Sequence, residues 1–207
     1  MTAAPCVGEP GALLAIISGP SGVGKDTIID VLRERHPDPR RHFVVTCTTR
    51  ERRFIETDGQ SYHFLSPEAF AALREHGALL EASEVHGNWY GTPRDQVVDA
   101  LAGGKDAVLK IDVQGARAIR QLVPDALLIF LVPPSLDALH DRLAARRTES
   151  PAELRRRYQD AALELARQDD YDHVVVNATG DVEGTAERID RILRKEHEIH
   201  PHRRVAV

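Results

Sequence analysis

The sequence predicts an α/β fold, a parallel sheet wound with helices around one phosphate-binding loop. Three stretches of its 207 residues predict it. The apolar run Leu13-Leu14-Ala15-Ile16-Ile17 stops at Ser18 and is followed by Gly19-Pro20-Ser21-Gly22-Val23-Gly24-Lys25, after which Ile28, Val31 and Leu32 recur at helical spacing. Phe43-Val44-Val45-Thr46-Cys47 then reads as a β-branched strand, so strand, helix and strand follow one another as in a doubly wound sheet. Ala126 to Val132 is apolar throughout, the pattern of a central strand buried on both faces.

The glycine loop carries the first chemistry. Gly19, Gly22 and Gly24 let backbone N–H groups turn inward as an anion nest, and the helix that follows adds the positive end of its dipole. Lys25 then reaches the β- and γ-phosphates of a nucleotide cradled by Gly19, Pro20, Ser21, Gly22, Val23 and Gly24. One residue departs from the pattern. Where Ser or Thr would follow the lysine to hold Mg²⁺, this chain has Asp26, and Thr27 comes one position later.

Composition narrows the class. At 42% hydrophobic and 29% charged, the chain suits one globular domain with a real core. A net charge of −5 makes no case for nucleic acid or an anionic membrane as partner. Cys6 and Cys47 have no metal or redox spacing and fit a reducing cytoplasm. Residues 1–10 have neither the basic nor the apolar region of a secretion signal and read as a disordered leader. No apolar run approaches the ~20 residues of a membrane span.

Along the chain, strand Leu13–Ser18 leads through the loop into a helix ending near His36, where Pro37 and Pro39 close it. From Thr48 to about Pro93 the character changes. Thr48-Thr49-Arg50-Glu51-Arg52-Arg53 is polar and basic, Asp58-Gly59 marks a turn, and Ser61 to Leu65 alternates like a strand. Ser66 and Pro67 open a helix as N-cap and first residue. Leu79 to Val85 reads as a strand and Asn88-Trp89-Tyr90-Gly91 as a turn, together an insertion of short strands suited to a second substrate. A capping box at Thr92 is expected to start the next helix, which Gly103-Gly104 stops. Ala107 to Asp112 is a strand ending in an acid, the arrangement that sets a carboxylate near Mg²⁺.

Ser135 caps a helix carrying Leu136, Leu139 and Leu143 on one face. Then come Arg142, Arg146 and Arg147, a capping box at Ser150 to Glu153, and Arg155, Arg156 and Arg157. Alone, such a cluster is a solvated face paired with neighbouring acids. Beside a phosphate loop it reads better as an arginine lid that neutralises the oxygens of a transferring phosphoryl group. His173 to Asn177 is the last strand, and a helix from Val182 to Glu198 ends in a tail where His197, His200 and His202 are expected to lie in solvent.

From about Leu13 to Leu193 the chain resembles the guanylate kinases. The stretches GPSGVGK, TTRERR with the following glycine and YHF, LLEASEVHGNWYGTP, IDVQGA, RLAARRTES and VVVN stand in that family's order and spacing. The resemblance implies the P-loop nucleoside monophosphate kinase fold: a parallel sheet core (11–47, 93–134 and 169–207), an inserted GMP-binding subdomain (48–92) and a helical lid (135–168). It implies Mg²⁺-dependent transfer of the ATP γ-phosphate to GMP, giving ADP and GDP. By the same resemblance, Arg50, Arg53, Tyr62 and Tyr90 hold the GMP phosphate, while Glu81, Thr46 and Thr92 meet the guanine. Lys25, Arg142, Arg146 and Arg157 are implied as catalytic, Asn177 lies near the adenine, and Asp26 and Asp112 are the candidate metal residues.

Three positions depart from the family's pattern. Asp26 replaces the loop hydroxyl, Lys110 replaces the first acid of a D-x-D, and Ile55 replaces a glycine in the phosphate-clamp turn. The first two are opposite changes of charge, so either Asp26 and Lys110 face each other and pair, or Asp26 ligates Mg²⁺ directly. Ile55 requires a differently built turn, because a β-branched residue does not tolerate positive φ. Two other readings remain open: a related P-loop kinase of a phosphorylated sugar, such as a ribose bisphosphate, and a non-catalytic guanylate-kinase-like binding module. Glu81, Tyr62, Tyr90 and Thr92 weigh against the first, and Lys25 with the retained arginines weighs against the second.

Overall fold

The computed structural model describes residues 7–9, 11–145 and 151–207. A five-stranded parallel sheet forms around β1 (Leu14–Ser18), β7 (Asp106–Lys110) and β8 (Leu127–Val132), which are apolar and buried along nearly their whole length. At its edges lie β2 (Arg41–Phe43) and β9 (His173–Val176), in the order β2-β7-β1-β8-β9. Each neighbouring pair is parallel, with Ile17 of β1 opposite Lys110 of β7 and Ile129 of β8. Alternate residues of β1 serve opposite faces. Leu14 and Ile16 pack with Leu101 of α3 (Arg94–Ala102) and Ile119 of α4 (Val113–Leu122). Ala15 and Ile17 pack with Ile28 and Leu32 of α1 (Lys25–Arg35) and with Ile189 and Leu193 of α7 (Val182–Ile199). β1 is therefore buried along its whole length, and the loop that follows it is anchored to the best-packed part of the molecule.

A second, smaller sheet carries the other half of the site. Its strands are β3 (Cys47–Thr48), β4 (His63–Phe64), β5 (Leu79–Val85) and β6 (Asn88–Pro93), in the order β4-β3-β6-β5. Helix α2 (Pro67–Glu75) packs on it through Phe70, and Ser66 caps that helix by accepting from the Ala69 N–H, as the Ser-Pro start predicts. Helices α5 (Leu136–Ala144) and α6 (Pro151–Leu165) pack together through Leu139, Leu143 and Ala161 on the far side of the loop. Among the described residues, no helix is long and apolar enough to cross a membrane.

Several elements differ from expectation, each for a local reason. The single strand predicted over Phe43–Cys47 is two strands in different sheets. After Phe43 the side-chain amide of Gln96 takes over both backbone groups of Val45, accepting from its N–H at 2.9 Å and donating to its carbonyl at 3.1 Å. The ladder is thus replaced by one side chain, and the chain crosses to the second sheet. Asn88 to Gly91 is a strand rather than a turn. The reversal lies one step earlier, at His86 (φ 51°) and Gly87 (φ 78°), both left-handed as a tight hairpin requires. Helix α3 begins after Pro93 without a side-chain cap, because the Thr92 hydroxyl is engaged elsewhere. Asp112 does not end a strand: β7 stops at Lys110, and Asp112 is the N-cap of α4, accepting from Gln114 N–H and Gly115 N–H.

Residues 1–6 and 10 of the expected leader lie outside the described residues. Residues 7–9 of the expected leader are held by the tail, with Val7 bridging Ala206 and Gly8 N–H donating to the Val205 carbonyl at 2.8 Å. Val205 is fully buried, which gives that stretch an apolar anchor. His197 is likewise not in solvent, since its ring sits 2.8 Å from a carboxylate oxygen of the buried Asp106.

Candidate active site

The donor half is built by the sharp turn after β1. Gly19 has φ 143°, and a Cβ there would lie 2.4 Å from the Leu131 carbonyl, so only glycine lets the chain leave the sheet at this point. Gly22 and Gly24 are left-handed, and Gly24 stands as N-cap of α1 with no side chain to occupy the first N–H groups. The loop is fixed from behind. Asn177 Nδ2 donates to the Val23 carbonyl at 2.7 Å, and Arg142 donates to the same carbonyl and to that of Asn177 at 3.1 and 3.0 Å. The buried Oδ1 of Asn177 has no hydrogen-bond partner among the described residues. Lys25 folds back to donate to the Gly19 and Pro20 carbonyls at 2.5 and 3.2 Å. Burial pushes its ammonium below the ordinary lysine value, against the raising fields of Glu164, Asp112 and Asp26.

Between the loop and the second sheet lies a cavity of about 350 Å³. From the donor side Ser21, Lys25 and Asp26 line it; from the second sheet, Thr46, Arg50, Arg53, Tyr62, Glu81 and Tyr90; from β7 and beyond, Lys110 and Asp112; and from α6, Arg157 and Glu164. The acceptor half thus gathers two arginines and two tyrosines in one place. The rings of Tyr62 and Tyr90 meet edge to face at 6.1 Å, and burial holds the Tyr62 hydroxyl well above the ordinary tyrosine value.

At the floor sits Glu81. Its Oε1 accepts from the Thr92 hydroxyl at 2.7 Å, whereas its buried Oε2 has no hydrogen-bond partner among the described residues. Burial raises this carboxyl to about 7, with Thr92 pulling the other way. Gly115 makes room for it, because a Cβ there would lie 2.9 Å from Oε2. A half-satisfied carboxylate beside a phosphate-sized cluster of cations wants a ligand carrying N–H donors next to a phosphate.

A family model described as guanylate kinase matches residues 12–196. The guanylate kinase of Mycobacterium leprae (strain TN) is 47% identical to this chain over 79% of its length and 78% of the relative's. That of Frankia casuarinae (strain DSM 45818 / CECT 9043 / HFP020203 / CcI3) is 44% identical over 87% and 96%. The chain belongs to the guanylate kinase family. Among solved structures, guanylate kinase from Anaplasma phagocytophilum superposes with a TM-score of 0.73 at 33% identity, covering 91% of this chain and 87% of its own. The parallel core with its inserted small sheet is therefore the P-loop kinase fold of this family.

Of the residues singled out in the sequence, most converge on the cavity, and several do other work. Arg142 does not line it: its guanidinium is spent on the Val23 and Asn177 carbonyls and on the Thr179 hydroxyl, where it braces the loop. Thr27 is exposed on α1 and also outside the lining. Thr92 is fully buried and reaches the cavity only through Glu81. Arg146 lies outside the described residues. Arg157 donates to the Ser21 hydroxyl at 2.5 Å, which ties α6 to the loop. Lys110 and Asp26 form an ion pair, as their opposite departures from the family pattern predict. Ile55 sits at the exposed tip of a turn closed by Glu56 N–H donating to the Arg53 carbonyl at 3.1 Å, and its φ is not positive.

Two carboxylates escaped the sequence reading. Glu56 accepts from both terminal nitrogens of Arg50 at 3.1 and 2.8 Å and from the Arg53 N–H at 2.8 Å. Burial, the largest single influence, would raise its carboxyl, but the hydrogen bonds and charges of Arg50 and Arg53 together outweigh it and hold the group below the ordinary value. Glu164, on α6, accepts from the Ser21 N–H at 3.4 Å, and burial raises its carboxyl against the pull of Lys25. A signal existed for Glu56, an acid three residues beyond the basic run of Arg50, Arg52 and Arg53. Glu164 lies in a helix charged all along its length and had none.

Proposed function

We propose that this protein phosphorylates GMP with the γ-phosphoryl group of ATP, giving ADP and GDP. The observation that carries the reading is Glu81, a buried carboxylate with an unmatched oxygen set beside Arg50, Arg53, Tyr62 and Tyr90. Guanine presents N1–H and an exocyclic amino group to such a carboxylate; adenine offers no N–H at N1 and would leave Glu81 unpaired. A buried hydrogen-bonding group left unmatched discriminates strongly between related substrates. Thr46, buried at the cavity wall, supplies a hydroxyl for the remaining base edge.

In this reading the acceptor phosphate enters among Arg50, Arg53, Tyr62 and Tyr90, displacing Glu56 from Arg50. ATP lays its phosphates over the loop N–H groups, and Lys25 swings from the Gly19 and Pro20 carbonyls onto the β- and γ-phosphates. An oxygen of the GMP phosphate attacks the γ-phosphorus in line. A new P–O bond forms, the bond to the β-phosphate bridging oxygen breaks, and that oxygen leaves with ADP. Arg157 and Arg146 neutralise the charge spread over the equatorial oxygens, while Arg142 and Asn177 keep the loop rigid, Asn177 beside the adenine.

Mg²⁺ keeps several waters and takes one or two protein carboxylates together with substrate phosphates. Asp26 and Asp112 both line the cavity, so two carboxylates stand on the side where a metal carried by ATP would meet the protein. When bound, it would neutralise charge on the β- and γ-phosphates. Asp112 Oδ2 already accepts from the Ser83 hydroxyl at 2.9 Å, which orients this carboxylate for water-mediated contact. The cysteine usage suits work in the cytoplasm.

The test is ADP release with ATP and Mg²⁺ in the presence of GMP, AMP or ribose bisphosphate as acceptor. Turnover with GMP, and at least ~100-fold less with AMP, is expected. Preference for AMP or the sugar, or no turnover by folded protein, overturns the reading.

A further inference from the structure

Lys110 is the one cation lining the cavity that departs in sign from the family pattern, and its surroundings are unusual for a merely structural ion pair. It is the last residue of β7, opposite Ile17 of β1, so its backbone is fixed by the core sheet immediately beside the loop. Its side chain is only 12% exposed. The ammonium touches two segments distant in sequence, α1 and the Ser61-Tyr62 stretch of the second sheet's insertion. It pairs with Asp26 on the first turn of α1, donates to the Ser61 carbonyl at 3.4 Å, and lies 4.2 Å from the centre of the Tyr62 ring.

A pair with Asp26 would need none of the contacts on the acceptor side. Holding an ammonium between Asp26 and the face of Tyr62 sets it between the donor loop and the pocket where Arg50, Arg53 and the tyrosine hydroxyls converge. Asp26 offsets the desolvation of that ammonium in the free protein, and a phosphate entering the cavity lined by Arg50, Arg53, Tyr62 and Tyr90 would offer it a second anionic partner. Lysine also suits the place better than arginine, since a compact ammonium on a flexible stem can turn from one partner to another.

We propose that Lys110 is a further ligand of the acceptor phosphate, held ready by Asp26 and turned onto the phosphate oxygens when the nucleotide enters. This rests on the reading of the cavity as a GMP site and adds a residue to it.

The test is equilibrium binding of GMP and of guanosine, by calorimetry in EDTA without ATP, to the unaltered protein and to Lys110→Met and Lys110→Arg variants. Melting curves confirm that each variant is folded. Lys110→Met is expected to weaken GMP about 10- to 100-fold, the range of a charge-assisted hydrogen bond to phosphate, while guanosine binding changes less than about 2-fold. Lys110→Arg, which keeps the charge, is expected to retain most of the GMP affinity. Equal losses for GMP and guanosine, or GMP binding unchanged in Lys110→Met, overturn the inference while leaving the acceptor site intact. Failure of GMP to bind the unaltered protein overturns the acceptor reading itself.

Discussion

Replacing Glu81 by Gln separates what this carboxyl does for the ligand from what it does to the fold. In the free protein burial holds the group at about 7, against an ordinary value of 4.5. Guanine requires the ionised form, so the apparent dissociation constant carries the factor 1 + 10^(pKa − pH). Between pH 8 and pH 6 that factor grows about 10-fold. Guanosine, which carries no phosphate, isolates this titration from that of the GMP phosphate near pH ~6. Guanosine affinity is therefore expected to fall about 10-fold over this range in the unaltered protein and to stay flat in Glu81→Gln, at an affinity about 100-fold weaker.

The same shift acts on stability with the opposite benefit. A carboxyl raised on folding prefers the neutral form in the native state. Its contribution is neutral below the unfolded value of 4.5, turns progressively unfavourable as pH rises toward 7, and is constant above that. A shift from 4.5 to about 7 corresponds to ~3 kcal/mol. Gln keeps the hydrogen bond from Thr92 without the charge, so Glu81→Gln is expected to melt higher than the unaltered protein at pH 8, and the gap should vanish by pH 4.5. Calorimetric titration with guanosine and thermal melts across pH 4.5–8 supply both curves. A flat guanosine affinity in the unaltered protein, or a variant that melts lower at pH 8, would refute the assignment of Glu81 as a strained, ligand-seeking carboxylate.

Three further outcomes follow from the contacts. Gly115→Ala sets a methyl 2.9 Å from Glu81 Oε2 and is expected to weaken guanosine and GMP alike by about 10-fold, read as a change in KM with kcat preserved. Glu164→Gln removes the carboxylate that accepts from the Ser21 N–H, and ADP binding without metal is expected to tighten about 5-fold, measured by fluorescence or calorimetry. Asp190→Asn removes the nearer carboxylate, at 2.6 Å, from the buried Arg41 guanidinium and leaves it only Asp38 at 3.9 Å; a loss of ~3 kcal/mol in denaturant unfolding is expected, with KM for both nucleotides unchanged.

The core was legible because its signals are local. An apolar run buried on both faces, glycines where φ must be positive, and Ser66 and Ser135 as helix caps are all dictated by a residue and its near neighbours. The readings that failed depend on distant partners. Val45 would continue a strand but for Gln96, fifty-one residues away, which satisfies its backbone with a side chain. Thr92 has the composition of a helix cap and is drawn off by Glu81 across the hairpin. His197 looks like tail and is bound by Asp106 of the core sheet. At the site, the pairing of Asp26 with Lys110 was legible because both broke the same pattern in opposite directions. Glu56 and Glu164 were not, since an acid near arginines is ordinary composition until the fold shows which atoms it meets.

Those two carboxylates with Asp26 also explain how the free protein tolerates so much buried positive charge. Lys25, Arg50, Arg53, Lys110 and Arg157 all face one cavity of about 350 Å³. Unmatched, such a cluster would repel itself at low dielectric. Instead each end of it has an internal anion: Glu56 on the acceptor clamp, Asp26 on Lys110, and Glu164 beside Lys25 and the loop N–H of Ser21. These carboxylates come from three different segments, so each can withdraw without dismantling the sheet that fixes the cations. On the proposed reading, a substrate phosphate then does not meet a bare positive field; it exchanges with a carboxylate already there. The net gain on binding is the difference between a phosphate dianion and a single carboxylate charge.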